Sequence, residues 1–143
     1  EGCSYKAIDG AAEDGHLAVV EWLHENRSDG CSYMAMDVAA EGGHLAVVEW
    51  LHSNRSEGCS GNAMNGAAGQ GHLYIVEWLH ENRNHSCSSM FESMPMGFAA
   101  KGGHLAVMRW LHANCFMKCT PADMKYAAER GHLSVVEWIC ANC

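Results

Sequence analysis

The sequence predicts an all-α solenoid of five tandem helix-turn-helix repeats with little or no β structure, and three observations carry that prediction. The tripeptide Gly-His-Leu recurs at Gly15, Gly43, Gly71, Gly103 and Gly131, at intervals of 28, 28, 32 and 28 residues. Each copy opens a stretch close to "GHLAVVEWLHENR", and each follows an alanine-rich stretch such as "CSYMAMDVAAEGG". Self-similarity at a fixed period marks an array in which every unit buries its apolar face against the next. The repeats run over residues 3–30, 31–58, 59–90, 91–118 and 119–143, a single array across residues 1–143.

Within a repeat the elements follow in order. Ala35, Met36, Ala39 and Ala40 fall at i, i+1, i+4 and i+5, the spacing of one apolar helix face. Ser4, Ser32, Ser60 and Thr120 stand where an N-cap belongs, and Pro121 takes the first helical position, where no amide hydrogen is needed. The marker glycine ends this helix in the left-handed conformation that glycine tolerates. Beyond it Val19, Val20, Trp22, Leu23 and Asn26 project to one side of a second helix, with Ala18, Glu21 and Glu25 opposite. Trp22, Trp50, Trp78, Trp110 and Trp138 all fall on the apolar side and are expected in the core between repeats. Helices of about ten residues do not persist alone in water, so stacking must supply the core.

Composition excludes some functions. The formal charge is −8, and the nine Lys and Arg residues form no basic stripe, so a nucleic acid partner is not expected. No apolar run approaches the roughly 20 residues of a membrane helix, so no membrane association is expected. Cys3, Cys31 and Cys59 recur at one repeat position. Like positions on stacked helices sit roughly 8–10 Å apart, beyond the roughly 7 Å Cα limit for a disulfide. Free thiols are therefore expected, and with them a reducing compartment and an intracellular, cytoplasmic location. The chain begins "EGCS", like the interior of "SEGCS" at 56–60, and stops at Cys143 just after a repeat helix. Both ends read as cuts in a longer array or as faces open to further stacking.

These residues resemble ankyrin repeats, whose consensus runs close to "TPLHxAAxxGHxxVVxxLL". The stretch "MAMDVAAEGGHLAVVEWL" at 34–51 keeps the double alanine, the Gly-His and the paired valines, and in "MPMGFAAKGGHLAVMRWL" Pro95 occupies the family's proline position. The resemblance covers nearly the whole chain in five copies. It implies an ankyrin-like solenoid whose first helices line a concave surface that grips protein partners. Two departures matter. The usual unit has about 33 residues, and the missing ones fall where the family carries a projecting β-hairpin finger, so tight turns are expected here. Met34 and Asp37 also replace the family's Thr and His in repeat two, and capping by Ser32 is expected to substitute for their hydrogen-bond bridge. The longer interval places four extra residues between Cys87 and Pro95, which either restore a partial finger or lengthen a loop.

Comparing the five copies with one another separates fixed from variable positions. On the first helix the face opposite the Ala-Met stripe varies, and it carries the candidate partner-binding residues: Lys6 and Asp9; Met34, Asp37 and Glu41; Asn62 and Asn65; Met94, Phe98 and Lys101; Lys125, Tyr126 and Glu129. Exposed Met and aromatic side chains are typical interface anchors. Catalysis is not expected, since His16, His44, His72, His104 and His132 are repeat scaffold and no unique nucleophile stands beside a base. No cofactor is implied. One metal candidate is visible: His112 and Cys115 lie three apart on one helix, with Cys140 and Cys143 at the equivalent positions in the next repeat, four ligands suited to tetrahedral zinc. A Cys115–Cys143 disulfide is the alternative. The main functional expectation is thus a protein-interaction scaffold. The rival is an array that stacks end to end, because Ala7, Ile8, Ala11 and Val19 at one end, and Met124, Val135 and Trp138 at the other, leave neither end plainly capped.

Overall fold

The structure is a computed structural model that describes residues 6–27, 31–82 and 94–143. Those residues form ten helices in five antiparallel pairs: α1 (Lys6–Glu13) with α2 (Leu17–Asn26), α3 (Met34–Gly42) with α4 (Leu45–Asn54), α5 (Gly61–Gln70) with α6 (Leu73–Glu81), α7 (Pro95–Gly102) with α8 (Leu105–Asn114), and α9 (Pro121–Glu129) with α10 (Leu133–Asn142). There is no strand among the described residues. The all-α solenoid is as the sequence predicts. The stretch between Cys87 and Pro95, where a partial finger was the alternative to a longer loop, lies almost wholly outside the described residues.

Turn chemistry sets each pair. Gly43, Gly71 and Gly103 adopt φ near +80° (83°, 80° and 79°) and end their helices in the left-handed conformation. At Gly43 the His44 amide donates to the Ala39 carbonyl at 2.9 Å and the Gly43 amide to the Ala40 carbonyl at 3.3 Å, the paired bonds of a Schellman motif. Ser32 and Ser60 accept from the Met34 and Asn62 amides, each at 3.1 Å. Thr120 and Asp123 form a reciprocal capping box, and Pro95 and Pro121 open their helices. Ser4 lies outside the described residues. The second helices close with a side chain: Asn26, Asn54, Asn82, Asn114 and Asn142 each donate to the carbonyl of the tryptophan four residues earlier, at 2.8–3.0 Å.

Stacking supplies the core. Ala39, Ala40, Ala67, Ala68, Ala99 and Ala100 are fully buried, which lets α3, α5 and α7 pack closely side by side. Val47, Val48, Ile75, Val76, Val107, Met108, Leu51, Leu79 and Leu111 fill the space beneath the second helices. First helices touch one another far more extensively than second helices do, which bends the stack so that the first-helix row lies on its inner side.

The tryptophans correct one expectation. Trp50, Trp78, Trp110 and Trp138 are half-buried rather than central, and Trp22 is 59% exposed. Each half-buried indole meets the histidine that closes the preceding repeat edge to face: His24 with Trp50, His52 with Trp78, His80 with Trp110 and His112 with Trp138, at centroid distances of 5.1–5.5 Å. Among the described residues no such histidine meets Trp22.

The cysteines correct another. Cys119 and Cys143 form a disulfide with Cα atoms 5.8 Å apart, and Cys59 is also disulfide-bonded. Cys119 and Cys143 are unlike positions, the head of one repeat's first helix and the tail of its second, so the spacing between like positions on successive repeats does not keep them apart. Cys143 is thus not paired with Cys115, the alternative raised from the sequence, and Cys115 Sγ lies 3.4 Å from His80 Nδ1. The free-thiol premise behind an intracellular location therefore fails at Cys59, Cys119 and Cys143. No helix among the described residues is long and apolar enough to cross a membrane.

Candidate interaction surface on the first helices

Small residues open a groove along the first-helix row. Where repeats one and two carry Asp9 and Asp37, repeat four has Gly97, and repeat three has Gly66 and Gly69 where repeat two has Val38 and Glu41. A Cβ on Gly66 would come within 2.8 Å of Glu41 Cβ, and one on Gly69 would rest 3.5 Å from the Phe98 ring. Two adjoining depressions result, of about 570 and 500 Å³.

The first depression brings together seven of the candidate residues, Met34, Asp37, Glu41, Asn62, Asn65, Phe98 and Lys101, together with Tyr33, Gln70 and Arg130. The second gathers Met94, Phe98, Lys101 and Tyr126 with Met117 and Lys118. Met34 (49% exposed), Met94 (73%), Phe98 (46%) and Tyr126 (42%) present apolar surface to solvent. Within the first depression exposed Glu41 lies toward one end and exposed Lys101 and Arg130 toward the other. Lys6 is exposed at the start of α1, outside both depressions, and Lys125 is engaged by Glu129 at 3.7 Å on the exposed side of α9. Sequence reasoning missed Tyr33, Gln70, Met117, Lys118 and Arg130. All five lie on or just beyond the ends of the first helices or in the turns beside them, where helical periodicity carries no signal.

Asp9 and Asp37, both candidate partner-binding residues, tie neighbouring repeats together. Asp9 accepts from the Ser32 hydroxyl at 2.8 Å and from its amide at 3.3 Å, 23 residues away. Asp37 repeats the pattern, accepting from the Ser60 amide at 2.8 Å and from the Ser60 hydroxyl. Each aspartate therefore fastens the serine that leads into the next repeat's first helix, so the replacement for the family's bridge spans two repeats; Ser60 is the N-cap of α5, whereas Ser32, expected as a cap, stands one residue before the N-cap Tyr33 of α3 and accepts from the Met34 amide. Burial pushes the Asp37 carboxyl above the ordinary carboxylate range, and hydrogen bonds from Ser60 and from the Ala63 backbone pull against it. Asn65 holds the same position in repeat three with its Oδ1 buried.

The marker histidines are structural. A Cβ on Gly15, Gly43, Gly71 or Gly103 would meet the ring of His44, His72, His104 or His132 at 2.4–2.6 Å, so each imidazole lies over the turn of the preceding repeat. His132 Nε2 also contacts the Lys101 carbonyl at 3.0 Å. The four candidate zinc ligands do not converge. Cys140 is exposed and Cys115 faces His80. Among the described residues, the ligand atoms of His112, Cys119 and Cys143 all lie within 4.8 Å of one another.

Comparison with known proteins agrees with this anatomy. The family model described as ankyrin repeats (many copies) matches residues 8–52, and that described as ankyrin repeats (3 copies) matches residues 63–143. A comparison with curated proteins finds no match. Paired helices in register, glycine turns roofed by the next repeat's histidine and two family models spanning most of the sequence lead to one conclusion: the chain belongs to the ankyrin repeat family.

Proposed function

We propose that the groove along the first helices holds a protein partner through an extended apolar segment that carries acidic residues. Ankyrin repeats are in general protein–protein interaction modules. The observation that carries the finer reading is the cluster of exposed Met94, Phe98 and Tyr126 on one depression flanked by Lys101 and Lys118. Apolar anchors supply affinity there, and the lysines favour carboxylates and set the salt dependence. Nothing in the scaffold role of the repeated histidines calls for catalysis.

Peptides selected by display against the chain test this reading. Phe98→Ala and Tyr126→Ala are each expected to weaken the selected peptides by at least about tenfold, with the helical circular dichroism unchanged. Glu25→Ala and Glu49→Ala, on the exposed side of the second helices, are expected to leave binding intact. Peptides whose affinity ignores both groove substitutions would refute the assignment.

End-to-end stacking is the second reading, and Trp22 favours it. Together with Val19 (47% exposed) it presents to solvent the face that every later repeat covers. Light scattering over a concentration series separates the two: mass that grows with concentration and stops growing in Trp22→Ser supports stacking, and a fixed mass removes it.

A further inference from the structure

We infer that His112, Cys119 and Cys143 form a zinc site when the Cys119–Cys143 disulfide is reduced. Their ligand atoms already lie within 4.8 Å of one another, and they come from three different elements. His112 sits in the last turn of α8, Cys119 immediately before the cap of α9, and Cys143 at the end of α10. With the Cα atoms 5.8 Å apart, side-chain rotation alone can open the sulfurs to the roughly 3.8 Å that tetrahedral zinc bonds of about 2.3 Å require. Two thiolates and an imidazole are a borderline-soft donor set that prefers zinc over calcium or magnesium.

Two further observations point to a cation at this place. His112 Nδ1 lies 2.9 Å from the Met117 carbonyl, and a backbone carbonyl on one ring nitrogen is the arrangement that orients a metal-binding imidazole through the other. The second observation is an internal comparison. At the junction of repeats one and two the equivalent positions hold His24, Cys31 and Arg55. There the cation is supplied by the protein: Arg55 Nη1 lies 3.1 Å from His24 Nδ1, its Nη2 donates to Glu57, and Cys31 lines the same small cavity. At the junction of repeats four and five that arginine is replaced by Cys143. The built-in cation is gone and a second sulfur stands in its place, so a divalent ion can take the role the guanidinium plays in the earlier junction. His112 and Cys119 are half-buried while Cys143 is exposed, which leaves an entry path and a fourth position open to water.

The chemistry balances. A phosphine reduces the disulfide, taking an oxygen from water to become the phosphine oxide and leaving two thiols. Zinc then displaces both thiol protons and binds the two thiolates and the neutral imidazole. Oxidation of the thiolate pair by a two-electron oxidant such as a peroxide restores the disulfide and releases the ion.

The test uses the whole chain, reduced with a phosphine under inert gas and titrated with Zn²⁺, and with Co²⁺ as a spectroscopic substitute. The expected result is one zinc per chain, retained through dialysis, with Co²⁺ showing thiolate charge-transfer bands and the intense visible bands of a tetrahedral site. Cys119→Ser and Cys143→Arg are each expected to weaken binding by more than about 100-fold, whereas Cys115→Ser and Cys140→Ser leave it unchanged. Cys143→Arg rebuilds the side-chain set of the first junction, so its helical circular dichroism is expected to match the parent, and zinc is expected to raise the melting temperature of the parent alone. Failure of the reduced parent to bind zinc would overturn the proposal. So would zinc that survives Cys119→Ser and Cys143→Arg, or zinc that is lost with Cys115→Ser or Cys140→Ser.

Discussion

Asp37 joins two repeats through a single carboxylate. Its oxygens accept from the amide and hydroxyl of Ser60, and Ser60 in turn caps α5. Asp37→Ala removes both acceptors and leaves the serine donors without them, at a cost of about 2 kcal/mol. Asp37→Asn keeps one carbonyl acceptor and loses the charge. Because burial raises the Asp37 carboxyl, the folded chain holds its proton to higher pH than the unfolded chain does. Stability from this group is therefore full below the ordinary carboxylate value and is lost as pH rises through the raised one. Glu57, which is held below its usual range by Arg55 despite partial burial, slopes the other way, but it is common to both proteins and cancels in their difference. Chemical denaturation is thus expected to show Asp37→Asn gaining on the parent as pH climbs from about 4 to about 7, and a difference that is flat or reversed would contradict the assignment. The sequence shows Asp9 and Asp37 at variable positions of the first helices. It could not show that their partners lie 23 residues ahead, because that contact depends on how two repeats dock.

At the scale of the element, the turn and the second helix each carry information from one repeat to the next. Gly103 and Gly131 share the left-handed conformation, with φ of 79° and 74°, yet only Gly103 lies under the next repeat's imidazole, with His132 Nδ1 2.5 Å from an added Cβ. Gly131→Ala is expected to cost about 1–2 kcal/mol for the backbone alone. Gly103→Ala should cost measurably more, and thermal unfolding of the two variants reads the difference; equal losses would show that the histidine roof is immaterial. On the second helix a wheel explains what the simple apolar stripe missed. The buried Val-Val-Leu set has Trp about 100° to one side and His about 100° to the other, so neither reaches the centre and each meets its counterpart across the junction. The same geometry exposes Val19 and Trp22 on the uncovered side of repeat one. A double-mutant cycle on His80 and Trp110 is expected to return a coupling of about 0.5–1.5 kcal/mol, and no coupling would reduce the pair to mere proximity.

For the whole molecule, periodicity made the architecture legible, because a repeat that cannot bury its own faces must stack. The groove was legible in part. Internal comparison picked out Met94, Phe98 and Tyr126 as variable, while the depression they share depends on Gly97, and the adjoining one on Gly66 and Gly69, whose meaning appears only when neighbouring helices approach. The sulfur chemistry was misread, since Cys119 and Cys143 belong to opposite ends of a repeat and no comparison of like positions brings them together. What remains is the claim that the inner, first-helix side is the working surface. Amide hydrogen exchange, measured on the chain with and without a display-selected peptide, tests it most directly. The account predicts protection concentrated in α5, α7 and α9 and in the turn around Met117, with α4, α6 and α8 unchanged; protection confined to the second helices would contradict it.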